Sequence, residues 1–270
     1  MGNKFEQPSR ESRENNEFRE VSADILSELV VSERFMESTQ LAHDMSVKLN
    51  EEAGFAVGQN LKSGKVIMGK TIHADQTSVF LDSRDSSIYD IGGSSFSEKF
   101  VGLVESGGAI ELFDFHTHPN GTIEPSNADL SSLIARRESS VGEKGIDYYP
   151  LSAILAFPIS SSHTEAHLLV LQEKRSEHIR ESEVGSAVSD YIENTLAITS
   201  DKSYEKILDV INSSHAIQAE LFKLERSGGK GKFSHTISKD EIRDKFLKFA
   251  FTPKRVPTDY EQIEGVHVSK

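Results

Sequence analysis

Ala109-Ile-Glu-Leu-Phe-Asp-Phe-His-Thr-His-Pro-Asn-Gly-Thr-Ile-Glu-Pro-Ser-Asn-Ala-Asp129 is the stretch from which the rest of the chain is read. Ala109–Phe115, with Ile110 and Leu112 and then Phe113 and Phe115, reads as a strand that runs straight into His116. On an extended backbone side chains alternate, so His116 and His118 project to one face and Thr117 to the other. Asp114 shares the parity of His116, which places it either beside the imidazoles or at a solvated edge. After a loop over Pro119–Pro125, Ser126 is an N-cap candidate for a helix through Leu130, Leu133 and Ile134. Asp129 then falls in the first helical turn, three residues after the cap.

Two imidazoles and a carboxylate are the donors expected of a catalytic zinc site, in which three protein ligands leave the fourth tetrahedral position open. His116, His118 and Asp129 are therefore the expected metal ligands. The chain has no cysteine, which excludes disulfides, thiolate ligands and a cysteine nucleophile together.

Outward from this centre, Ile25, Leu26, Leu29, Val30, Phe35, Met36, Leu41 and Met45 recur at helical intervals from Val21 to about Leu49, with Ser22 or Asp24 as cap. Ala53–Val57, Lys65–Met68, Thr77–Leu81, Ser152–Pro158 and His167–Leu171 read as strands. The Ser-, Gly- and Asp-rich stretch 82–97 reads as a surface loop. From Ser176 the composition becomes charged and helical, with helices expected over Ser176–Ile198, Ser203–Glu225 and Ser238–Phe249. The expected division is a flexible arm at 1–20, a mixed α/β unit at 21–175 and a mostly helical extension at 176–270. The stripe Ile207, Leu208, Ile211 is expected to pack on the domain, with a homodimer contact as the alternative.

The formal charge of −13 over 270 residues disfavours nucleic-acid backbone and anionic bilayers as main partners. Lys230, Lys232, Lys254 and Arg255 are the only candidates for a basic patch and read as solvated loop. Neither a signal-peptide core at the start nor a run of 18 apolar residues is present. A cytoplasmic protein is expected.

His-Thr-His-Pro followed by Pro125-Ser126-Asn-Ala-Asp129 resembles the signature of the JAMM (MPN-plus) metalloproteases, or JAB domain: His-x-His, seven residues, Ser, two residues, Asp. Upstream, Glu51-Glu-Ala-Gly54-Phe-Ala-Val-Gly58 resembles the family's Glu-x-x-Gly-x-x-x-Gly setting, which selects Glu51 and leaves Glu52 as the alternative. The likeness covers about residues 40–171. It implies a cytidine-deaminase-like α+β core with a mixed curved sheet flanked by helices, one Zn²⁺ per chain, and hydrolysis of a peptide or isopeptide bond. In many members that bond lies at the C-terminus of a ubiquitin-like protein, so a protein substrate is implied. It also implies Glu51 as the base that takes a proton from water and Ser126 as oxyanion donor in preference to a mere helix cap.

The rival readings are a non-catalytic MPN-type scaffold and another mononuclear amidohydrolase. The first would be expected to lack ligands. The second needs further histidines and carboxylates on later strands. His73, His163 and His167 have no partners at ligand spacing and read as structural.

Overall fold

The computed structural model describes residues 23–60, 66–69, 71–73, 89–90, 109–130, 132–133, 146–147, 151–157, 164–174, 194–195, 203–214, 217–226, 231–249 and 254–255. The expected arm at 1–20, strand at Thr77–Leu81 and most of the 82–97 loop and of the 176–198 helix lie outside these residues.

The N-terminal helical stretch is two helices, α1 at residues 23–31 and α2 at Glu33–Leu49. Ser32 separates them: its backbone is extended, and its hydroxyl accepts the Phe35 N–H at 3.2 Å, which restarts the helix. Asp24, expected as a possible cap of the whole stretch, lies inside α1, and Ser22 lies outside the described residues. Asn50 ends α2 in the left-handed region at φ 54°, donating its N–H to the Ser46 carbonyl.

The chain then enters β1 (Ala53–Asn60), β2 (Val66–Met68), β3 (Ile72–His73), β4 (Tyr89–Asp90) and β5 (Ala109–His118). After β5 come α3, helical at 127–130 and 132–133, then β6 (Ile146–Asp147), β7 (Leu151–Ala156), β8 (Glu165–Glu173) and α4 (Tyr204–Ser213). The rest is β9 (Ile217–Arg226), β10 (Phe233–His235), α5 (Lys239–Phe246) and β11 (Lys254–Arg255).

Nine strands form one mixed sheet in the order β10-β9-β8-β7-β5-β1-β2-β4, with β3 also on β1; β6 and β11 pair separately. Only β5 and β7 run parallel, and the other pairings of the large sheet are antiparallel.

Two apolar layers sandwich the sheet. On one side Phe55, Phe115, Ala153, Leu155, Leu168, Val170, Phe222 and Leu224 pack with Leu26, Val30, Phe35, Ile242 and Phe246 of α1, α2 and α5. On the other, Ile154, Ala156, Leu169, Leu171, Ile217 and Ala219 pack with Leu130 and Leu133 of α3 and Ile207, Val210 and Ile211 of α4. The alternation of neighbouring strand residues between these layers is the period-2 geometry of a sheet buried on both faces. The fold is mixed α/β.

The region expected to be a helical extension differs in one decisive place. The helix read over Ser203–Glu225 stops at Ser213, and Ile217–Arg226 is instead a strand paired with β8 from Glu173↔Ile217 to Glu165↔Glu225. Leu, Ala, Glu and Lys favour helix only weakly, and a full antiparallel ladder buried on both faces outweighs that preference. Residues beyond 175 thus complete the same sheet. Ile207 and Ile211 are buried against it as expected, which removes them from any dimer contact. Lys232 is tied to Glu33 and Glu37 of α2 at 2.8 and 2.7 Å. Among the described residues no helix is long and apolar enough to cross a membrane.

Candidate metal centre

Strand register decides where the histidines point. His116 lies beside Ile154 of β7 and His118 beside Ala156, and both neighbours belong to the layer under α3 and α4. Cross-strand neighbours share a face, so both imidazoles turn toward α3. Thr117 turns the other way, where its hydroxyl accepts the Ala53 N–H at 2.9 Å and pins the start of β1. The centre sits at the carboxyl end of the one parallel strand pair, the place where open α/β sheets form crevices.

Gly54 makes room for the first histidine. It lies opposite His116 on β1, and a Cβ there would sit 2.2 Å from the Phe115 carbonyl oxygen and 3.2 Å from His116 Cα and Cβ. Any side chain would push β5 and β1 apart at the imidazole. That contact is a physical reason for glycine three residues after Glu51.

α3 brings the third donor. Ser126 accepts the Asp129 N–H on its hydroxyl oxygen at 3.2 Å, while the Ser126 N–H donates to Asp129 Oδ2 at 2.6 Å. This reciprocal cap is the geometry of a capping box with Asp in place of Glu. It fixes the Asp129 carboxylate over the histidines: Oδ1 is 3.1 Å from His116 Nε2 and Oδ2 is 3.6 Å from His118 Nε2. The two Nε2 atoms are 3.2 Å apart. His116 and His118 are each only 6% exposed.

These distances fit a single cation. Donors about 2.0–2.1 Å from a tetrahedral ion are about 3.3 Å from each other, against the observed 3.1, 3.2 and 3.6 Å. Tautomer chemistry agrees. His118 Nδ1–H donates to the Thr122 carbonyl at 3.1 Å, which leaves its Nε2 with a lone pair aimed at His116 Nε2. Two nitrogens that close need a proton or a metal between them. Burial by itself pulls His116 down, yet the hydrogen bond and charge of Asp129, with the charges of Asp114 and Glu52, raise it on balance. For Asp129, burial pushes upward and the two imidazoles outweigh it, holding the carboxyl far below the usual carboxylate range. A buried His-His-Asp group that can hold a metal ion is therefore present.

A cleft of about 390 Å³ opens at this centre, lined by Asn50, Glu52, His118, Pro119, Asn120, Thr122, Glu124 and Ser126. Glu52 is thus at the cleft. Glu51 is directed elsewhere, its Oε2 3.1 Å from Nδ1 of His73 on β3. Asp114 acts on His116 through its charge, in keeping with their shared parity. His167, half-buried, lies against the Tyr204 ring with centroids 4.1 Å apart and is not part of the His116, His118 and Asp129 group. His163 lies outside the described residues.

The cap and the oxyanion role expected of Ser126 do not compete. The cap uses an oxygen lone pair, whereas stabilising an oxyanion uses the O–H. Thr122, which orients His118, was not evident in the sequence, because a backbone carbonyl leaves no mark on residue identity. The turn implied by Pro119-Asn-Gly121 was its only signal.

No protein-family model matches the chain, and no curated protein matches it in sequence.

Proposed function

We propose that this protein is a zinc-dependent peptidase or isopeptidase of the JAMM type, built on a JAB-like, cytidine-deaminase-like core. The observation that carries the proposal is the donor triangle of His116, His118 and Asp129, with spacings of a tetrahedral ion, at a cleft that also holds Ser126 and a glutamate.

His116, His118 and Asp129 would hold the zinc. When bound it supplies positive charge that acidifies water and polarises a carbonyl. The protein's residues do the remainder. Thr122 holds the His118 ring in the tautomer that presents Nε2 to the centre. A carboxylate of the Glu51–Glu52 pair takes the proton of the attacking water and returns it to the leaving amine. The Ser126 O–H donates to the oxygen that gains charge as the carbonyl becomes tetrahedral. The substrate in this reading is a protein conjugate whose extended ubiquitin-like tail would lie as an added strand along a sheet edge.

The test is cleavage of a fluorogenic amide placed after a ubiquitin-like C-terminal tail by the zinc-loaded chain. Asp129→Ala is expected to abolish both cleavage and zinc retention. Undiminished cleavage by Asp129→Ala would overturn the proposal.

A further inference from the structure

We infer that Glu124, on the wall of the cleft, selects a substrate that carries a lysine or arginine side chain next to the scissile bond. The inference rests on the proposed hydrolytic function and names its substrate class.

Glu124 belongs to the loop that joins His118 to α3, and that loop is tied to His118 itself. The His118 carbonyl accepts the Gly121 N–H at 3.1 Å, with Gly121 in the left-handed region at φ 75°. The Thr122 carbonyl accepts from His118 Nδ1 at 3.1 Å. One residue on, the Thr122 hydroxyl accepts the Glu124 N–H at 3.1 Å. The neighbours of Glu124 are anchors: Ile123 is buried in the layer under α3 and α4, and Pro125 is buried as well. Glu124 between them is half-buried and lines the cleft together with His118 and Ser126. Its backbone is therefore held at a fixed place relative to a metal donor, which is what a selective contact requires.

In the proposed hydrolysis Asp129 is a metal donor, and a carboxylate of the Glu51–Glu52 pair is the base. Glu124 is a further carboxylate on the same cavity, with no proton of that reaction left to move. No lysine or arginine is among the described residues lining the cleft. Opposite charges attract more strongly in a cavity walled by protein than in open water, and an acidic substrate side chain in the same place meets like charge. A carboxylate offers about four acceptor sites, so Glu124 can take an ammonium or guanidinium group beside its contacts within the protein.

Peptides that carry Lys, Gln or Glu in turn on either side of the scissile bond test the assignment on the zinc-loaded full chain. At one of the two positions the Lys peptide should exceed the Gln peptide in kcat/KM by about ten- to hundredfold, the range of one charge-assisted hydrogen bond. The Glu peptide should be lowest. The difference should lie in KM rather than kcat and shrink as salt is raised. Versions N-methylated at the scissile amide give a readout free of turnover: their Kd values, by fluorescence anisotropy, should follow the same order. Glu124→Gln should bring the Lys-to-Gln ratio close to one, and Glu124→Lys should reverse the order of the Lys and Glu peptides. Both variants should keep one zinc per chain, since neither removes a donor.

A wild-type chain indifferent to these residues at both positions, or a preference that survives Glu124→Lys, overturns the inference. So does a loss of kcat in Glu124→Gln that is equal for all the peptides, which would make Glu124 a proton carrier. Cleavage of none of the peptides overturns the underlying hydrolase instead, and the order of Kd values then decides the role of Glu124 by itself.

Discussion

The two faces of the central sheet use the same strands for different ends. Along β5 the odd residues Phe115 and Thr117 face α1 and α2, where Phe115 stacks on Phe55 with centroids 4.5 Å apart and meets Phe35 edge-on. The even residues Asp114, His116 and His118 face α3 and the cleft. At the end of β5 one side is largely apolar, whereas the other, beside its own apolar layer, buries polar groups at a cost that ligation or ion pairing must offset. A strand of alternating side chains can serve both because neighbouring residues project to opposite faces. The comparison predicts that changes on the α2 side alter stability without altering metal binding, and that changes at the cleft residues act mainly on the metal centre and its chemistry.

The strongest way to break that separation is Phe222→Ala. Phe222 is buried on the α2 side and stacks on Phe246 of α5 at 5.3 Å, so its truncation should cost about 3–5 kcal/mol by urea denaturation. Zinc affinity of the folded fraction should stay within about tenfold of wild type; a hundredfold loss would show the faces to be coupled.

On the cleft side, Ser126→Ala should lower kcat by about 10²–10³-fold if its O–H meets the oxyanion, while stability falls by only about 1 kcal/mol for the lost cap. A stability loss alone, with kcat preserved, would reduce Ser126 to its cap.

The α2 side also carries a titratable group of its own. His235 on β10 contacts the Val30 carbonyl at 3.2 Å and the Phe222 ring; burial pushes it down to about 4, against a smaller upward effect of that carbonyl bond. The unfolded chain, with an ordinary histidine near 6.5, binds more protons than the folded one between those values. Stability is therefore full above about pH 6.5 and declines as pH falls toward 4, by on the order of 3 kcal/mol. His235→Phe should flatten that decline in a pH series of urea midpoints, and an unchanged slope would assign acid sensitivity to other groups.

How far the sequence reached follows the same division. The donor set was legible because a strand ending in His-x-His and a Ser-x-x-Asp cap each impose local geometry, and the structure brings the three side chains together. α2 was legible from its period, although the break at Ser32 was hidden by apolar residues that continue in phase across it. β9 was not legible. Ile217 and Ala219 face α4 while Phe222 and Leu224 face α5, so burial on both faces erases the alternation that marks a half-exposed strand, and helix-forming residues fill the rest. Within it Glu220 is buried and paired with Lys245 at 2.8 Å and with Lys248.

The central claim is that His116, His118 and Asp129 form one metal centre. Calorimetric titration of metal-free protein with zinc tests it most directly. The account predicts one saturable site per chain, a thermal midpoint that rises with free zinc as binding to the folded state requires, and loss of both in His118→Ala. Absence of saturable binding in the wild-type chain, or full binding in His118→Ala, would contradict it.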